Sequence, residues 1–396
     1  MEEIYLDHAA TTYVREEVLQ AMSRYYAEEF GNPGSFHTIG LRAKEALAEA
    51  RQKIMKLLNA AKEQEIIFTG SGTESINMAI QGIARANKAK GKHIITSKIE
   101  HEAVLETCQY LEKQEGFEVT YLDVDKYGQV NPETLKRDIR NDTILISIMY
   151  ANNEMGTIQK IQELAEIAKQ HKVYFHTDAC QAGGSLDINV QNLGVDLLTL
   201  NGSKIYGPKG VGLLYVRQGV KIHPLIHGGG QENRMRSGTE NVPSIIGFAM
   251  ALELAQAERE QENERLLKLR TKLIDGIKEK VPKIMLNGHP TERLANNANI
   301  AILDVEGEAM MLYLNEHGIC TSSGSACTSL SLDPSHVILA MGLPYEVAHG
   351  TLRFTLGKRT TEEHINKLLE VLPGIVESLR KISPVNLTLE EVQCNE

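Results

Sequence analysis

Apolar residues along this chain alternate between two rhythms. Short compact runs such as Glu65-Ile66-Ile67-Phe68-Thr69, Lys92–Ser97, Val119–Leu122, Thr143–Tyr150, Val173–His176 and Val195–Leu200 are followed by turn or helix-start residues and predict strands. Between them, Glu16–Glu29, Arg42–Leu58 and the stretch carrying Ile76, Ile80 and Ile83 repeat apolar residues at helical spacing, with charge on the other face. Strands alternating with helices to about residue 216 predict an α/β lobe on a mainly parallel sheet. Pro243–Val281 reads as one long helical region, apolar first and then strongly charged, and serves as the strut between two lobes. From Asn299–Leu303 a smaller α+β pattern follows. It contains a long Ser/Gly-rich loop at Ser322–Ser335 and a strand at Leu352–Leu356. The residues after Pro384 read as weakly ordered.

In parallel sheets ligands bind at the carboxyl ends of strands, and there the chemically suggestive residues gather: His101, Asn153, Asp178, Gln181 and Lys204. Lys204 follows a buried strand through Asn201-Gly202-Ser203 and precedes a Gly-Pro-Lys-Gly turn, so its amine can reach a pocket. A desolvated lysine amine suits Schiff-base chemistry with an aldehyde cofactor. Asp178 ends another buried strand, where a carboxylate needs a partner. A protonated ring nitrogen would serve, as in pyridoxal phosphate, whose charged ring is an electron sink; neighbouring backbone donors would serve equally. Gln181 can reach such a cofactor's phenolic oxygen. His101 suits ring stacking or proton transfer, although a histidine at a helix start is more often a cap.

Gly70-Ser71-Gly72-Thr73-Glu74-Ser75 lies between a strand and a helix and offers free N–H groups to an anion. It is neither a P-loop nor a dinucleotide fingerprint. His227–Glu232 and Arg234–Asn241 form a second glycine-rich, cationic stretch. Arg353 interrupts an apolar strand and is suited to gripping a carboxylate with its planar fork. Cys327, in Ser322-Ser323-Gly324-Ser325-Ala326-Cys327, is flanked by small residues that leave its sulfur uncovered, as a nucleophile requires.

Composition narrows the choice. The 396 residues carry a net charge of −10, which argues against nucleic acid and anionic membrane as partners. The acidic start, Met1–Asp7, lacks signal-peptide character, and no apolar run approaches a membrane span, so a cytoplasmic location is expected. Five scattered cysteines make neither a disulfide framework nor a paired metal spacing.

Together, Lys204 in its strand-end motif, Gly-Thr-Glu-Ser, Asp178-x-x-Gln181, Arg-Ser-Gly-Thr and Ser-Ser-Gly-Ser-Ala-Cys-Thr-Ser resemble cysteine desulfurases of the NifS/IscS type, within the class V aminotransferase-fold enzymes. The resemblance runs from Tyr5 to about Glu363. It implies a PLP-dependent transferase fold of type I, with a mainly parallel seven-stranded sheet and a smaller α+β domain. On that pattern residues 1–15 join the small domain, 16–260 form the large domain, 261–384 the small one with a mobile cysteine loop at 322–335, and 385–396 a tail.

It further implies that pyridoxal 5'-phosphate is attached through Lys204, stacked by His101 and paired at its nitrogen by Asp178. Gln181 and Asn153 would surround its phenolic oxygen and the substrate, and Gly72, Thr73 and Ser203 its phosphate. Thr239 would reach that phosphate from the partner subunit of a homodimer. Arg353 would bind the carboxylate of L-cysteine, and Cys327 would take the sulfur as a persulfide for an iron–sulfur scaffold protein or a tRNA-thiolating enzyme. No resting metal is implied, although Cys327 could meet an iron–sulfur cluster during transfer. Ser203 stands where many relatives carry histidine. The competing readings, a selenocysteine lyase or other class V transaminase and a non-catalytic sulfur carrier, fit Cys327 and Lys204 less well.

Overall fold

The computed structural model describes residues 3–323 and 334–393. Twelve strands are present among them: β1 (Ile4–Tyr5), β2 (Ile66–Thr69), β3 (His93–Ser97), β4 (Glu118–Leu122), β5 (Thr143–Ser147), β6 (Tyr174–Asp178), β7 (Leu197–Asn201), β8 (Gly212–Val216), β9 (Ile284–Asn287), β10 (Asn297–Ile302), β11 (Ile319–Cys320) and β12 (Thr351–Thr355). Seven form one sheet in the order β2-β8-β7-β6-β5-β3-β4. The β4-β3-β5-β6-β7 block is parallel, and β8 runs antiparallel to both its neighbours. Strands β3 and β5 are buried along their whole length, which explains their near-continuous apolar character.

Helices cover both faces. Thr38–Leu58 turns Ala43, Ala46, Leu47, Ala50, Ile54 and Leu58 inward and ends at Asn59 in the left-handed region, φ 52°. Gly72–Asn87 buries Ile76, Ile80 and Ile83, the stripe expected from their spacing. The stretch expected as one helix over 243–281 is two, Val242–Ala257 and Arg259–Lys280, meeting at Glu258. The break has a physical purpose: Glu258 accepts from Arg15 Nη1 at 2.8 Å and from Lys358 Nζ, tying the joint to the N-terminal segment and the end of the chain's second sheet.

That second sheet, β12-β10-β9, is antiparallel and has its own apolar core, built with Leu266, Leu273, Ile277, Leu368 and Leu372. The N-terminal segment is stitched into it. β1 pairs in parallel with β11, and Leu6 O accepts from Thr355 N at 2.7 Å. The chain then carries Ala9 and Ala10 to the carboxyl edge of the large sheet. At the other terminus residues 385–393, expected to be weakly ordered, include a helix at Leu389–Gln393 with Val392 buried against Ala301, Leu303 and Val347.

Candidate active site

Five turns bring side chains to the carboxyl edge of the large sheet. The turn after β2 delivers Gly72 and Thr73, and that after β3 delivers His101. The turn after β5 delivers Asn153. Cys180 and Gln181 follow Asp178 at the end of β6, and Ser203 and Lys204 follow β7. Together with Arg353 of β12, all of them line one cavity of about 400 Å³. A larger crevice, about 710 Å³, opens near Lys62, Arg217 and His223. Two of its charged groups, Glu65 and Arg217, are already engaged by backbone partners, and it holds none of the residues gathered at the carboxyl edge of the sheet.

Lys204 sits in a short 3-10 turn, Gly202–Lys204, made possible by Gly202, where a Cβ would lie 2.5 Å from Pro208 O. Tyr206 follows with φ +62°, a strained conformation for a bulky residue. It is held by its hydroxyl, which accepts from Lys358 N at 2.9 Å. The Lys204 ammonium donates to Ala9 O at 2.8 Å and Ala10 O at 2.5 Å. Gln181 Nε2 also donates to Ala9 O, at 3.0 Å. The N-terminal segment therefore forms one wall of the site.

Asp178 is buried, and its Oδ1 accepts from Cys180 N at 2.9 Å. This backbone partner was one of the two expected readings, and it leaves the carboxylate facing the cavity. Burial and the Asp178 charge push the Cys180 thiol well above its ordinary value. Below, His176 bridges Ser147 Oγ at 2.9 Å and Thr199 Oγ1 at 3.0 Å, and burial pulls its pKa down to about 4, so it is a neutral strut. His101 caps its helix by accepting from Ala103 N at 3.0 Å and at the same time lines the cavity. Ser203 Oγ donates to Asn201 Oδ1 at 3.2 Å.

Two expected partners stand differently. Arg353, 2% exposed, already has a carboxylate: Nη2 donates to Asp7 Oδ1 at 2.7 Å, and Nη1 to Asn153 O at 3.0 Å. Thr239 is exposed and does not line the cavity of its own chain. The loop that carries it is anchored beside the Gly70–Ser75 turn, because Arg236 Nε donates to Glu74 Oε1 at 2.8 Å.

Cys327 lies outside the described residues, but both sides of its segment are fastened. Ser322 and Arg353 exchange backbone hydrogen bonds, and Ser335 Oγ donates to Glu154 Oε2. Sequence reasoning missed Asp7, Cys180, Asn201 and Glu100. Glu100 is fully enclosed behind the site and accepts from Ser97 Oγ at 2.6 Å and from Met149 N at 3.0 and 3.1 Å. Burial, opposed by these bonds and reinforced by Asp178, pushes its carboxyl up to about 8.

The family model for class-V aminotransferases matches residues 4–368, and the chain belongs to that family. A cysteine desulfurase IscS from Methanosarcina thermophila is 58% identical over 382 residues, covering 96% of this chain and 94% of its own length. Among solved structures, a NifS-like protein superposes with TM-score 0.90 at 38% identity, covering 96% of this chain and all of that one. A structure described as SspA in complex with cysteine has TM-score 0.79 at 38% identity, covering 89% of this chain and 98% of that one. Within the class-V family the chain is a NifS/IscS-type cysteine desulfurase, a group of pyridoxal-phosphate enzymes.

The residues present fit that cofactor. A Cβ on Gly72 would lie 2.9 Å from Cys180 Sγ and 3.1 Å from Asn201 Nδ2, so glycine is what lets this helix start sit against those two residues at the rim of the cavity, where its N–H groups would meet a phosphate. An amine, a buried carboxylate and an imidazole share the same cavity, which is the donor set an aldehyde-bearing pyridine needs.

Proposed function

We propose that the protein converts L-cysteine to L-alanine and holds the released sulfur as a persulfide on Cys327. The observation that carries this reading is the convergence of Lys204, Asp178, His101 and Arg353 on one cavity, reached from four separate elements. In this reading Lys204 would hold the cofactor's aldehyde, Asp178 its ring nitrogen and His101 its face. Gln181 and Asn153 would meet its phenolic oxygen, and Gly72, Thr73 and Ser203 its phosphate. Bound there, pyridoxal phosphate supplies an electron sink for the pair left on the substrate's α-carbon.

The chain's own residues do the rest. Arg353 orients the substrate by its carboxylate. Lys204, when its amine is free, would take the α-proton of the substrate at Nζ as general base. The Cys327 thiolate then forms an S–S bond to the substrate sulfur as the Cβ–S bond breaks. The electron pair of that bond leaves with carbon; protonation there completes the alanine methyl group, and the proton held on Lys204 Nζ returns to the α-carbon. The thiolate is the attacking form, so the Cys327 thiol must be deprotonated at the moment of attack.

The persulfide sulfur passes on to an iron–sulfur scaffold protein or a tRNA-thiolating enzyme. The working form is a homodimer in which Thr239 reaches the phosphate of the other subunit, a use consistent with its exposure. Among the described residues no helix is long and apolar enough to cross a membrane. The test is product analysis: protein loaded with the cofactor and given L-cysteine plus a reductant should release alanine and sulfide in equal amounts. Pyruvate and ammonia in place of alanine would overturn the reading.

A further inference from the structure

We propose that Asp7 is a positioning residue for substrate recognition: a resident counter-ion that aims Arg353 and weakens its hold on the substrate carboxylate. The inference rests on the reading that Arg353 takes that carboxylate. Three observations carry it.

First, Arg353 is a buried cation that must be balanced, and Asp7 Oδ1 lies 2.7 Å from Nη2. Second, Asp7 is itself fixed. Its carbonyl accepts from Tyr5 Oη at 2.9 Å and from Ala10 N at 3.1 Å, and the next residue, His8, donates its N–H to Thr355 O at 3.3 Å. The ion pair thus holds the guanidinium between two rigid elements, with Asn153 O as the second acceptor. Third, Arg353 lines the cavity with Nε buried and without an acceptor among the described residues, and its five N–H groups exceed the two bonds just named. Donors therefore remain for one more carboxylate, while one negative charge is already in place.

A second anion on the same cation meets repulsion from the first. The charge of Glu154, a buried carboxyl that accepts from Ser335 Oγ and interacts electrostatically with Arg353, adds to it. The consequence is moderate affinity for an amino acid with one carboxylate, release of the product carboxylate, and poor acceptance of substrates carrying a further negative charge. An Asp7→Asn change keeps an oxygen acceptor and removes the charge. Asp7→Ser removes the charge in a smaller side chain and covers the case in which the asparagine variant folds poorly.

The experiment is calorimetric titration of the cofactor-loaded protein with L-alanine, which has no sulfur to transfer, alongside KM and kcat for L-cysteine. Arg353→Ala is the control. The proposal expects Arg353→Ala to weaken L-alanine binding, and Asp7→Asn and Asp7→Ser to tighten it by roughly five- to tenfold. KM for L-cysteine should fall in the two Asp7 variants without a rise in kcat. If Arg353→Ala weakens binding but both Asp7 variants bind as wild type or worse, the role given to Asp7 is overturned and that of Arg353 stands. If both Asp7 variants lose the cofactor, the pair is structural and the proposal falls. If Arg353→Ala leaves L-alanine binding unchanged, the underlying reading of Arg353 falls, and this inference with it.

Discussion

Replacing Glu100 by glutamine should make the protein progressively more stable than wild type as the pH rises from 5 to 8. Glu100 is entirely enclosed, and its carboxyl is pushed up from 4.5 to about 8, first by desolvation and then by the Asp178 charge. Its folded-state value lies above its unfolded value. The stability it contributes is therefore fully present below pH 4.5 and is lost as the pH rises to 8, because the unfolded chain releases the proton that the folded chain must keep. At 1.36 kcal/mol for each pH interval of one, the full window is worth on the order of 3–5 kcal/mol. Glutamine cannot ionise, yet its oxygen can still accept from Ser97 Oγ and Met149 N, the two donors Glu100 now satisfies. The assay is thermal unfolding of both proteins, equally loaded with cofactor, across this range. The melting-temperature difference should grow with pH in favour of the glutamine variant. A constant difference, or one that shrinks towards pH 8, would refute the assignment of a raised folded-state pKa.

Two further outcomes follow from the site. Lys204→Ala should abolish conversion of L-cysteine while circular dichroism stays native, because among the described residues no other amine lines the cavity; turnover in a well-folded variant would refute its role. Gly72→Ala should lower cofactor affinity by about tenfold or more, since the added methyl meets Cys180 Sγ at 2.9 Å and Asn201 Nδ2 at 3.1 Å at the helix start; equilibrium dialysis against free cofactor measures it.

Much of the large sheet was legible in sequence because its strands are short, buried on both faces and punctuated by turn residues. The carboxyl-edge rule groups His101, Asn153, Asp178, Gln181 and Lys204 from the sequence alone. What escaped has a common cause: it depends on groups distant along the chain. Arg353 has its partner Asp7 346 positions away, so no local pattern could show that the cation in β12 was already paired. The break at Glu258 hides inside an unbroken helical pattern because its reason, Arg15 and Lys358, lies in other elements. Glu100 was readable only as a polar residue before a helix; its surroundings include Met149, whose N–H meets its carboxylate, and the His336 side chain, whose Nε2 meets Glu100 O at 3.0 Å. The antiparallel β8 carries an apolar run like those of its parallel neighbours, and direction leaves no trace in such a run.

The central claim, that sulfur leaves L-cysteine for a thiol of this chain, is tested most directly by mass spectrometry. The cofactor-loaded protein is given L-cysteine without reductant, alkylated, digested and searched for the mass of one added sulfur atom on each cysteine peptide. Wild type should carry that sulfur on the peptide containing Cys327. Cys327→Ser should still change the cofactor's absorbance on adding L-cysteine, since Lys204, Asp178 and Arg353 are intact, but it should hold no persulfide and release no alanine. A persulfide on Cys180 or Cys320 in place of Cys327, or wild-type alanine release by Cys327→Ser, would contradict the account.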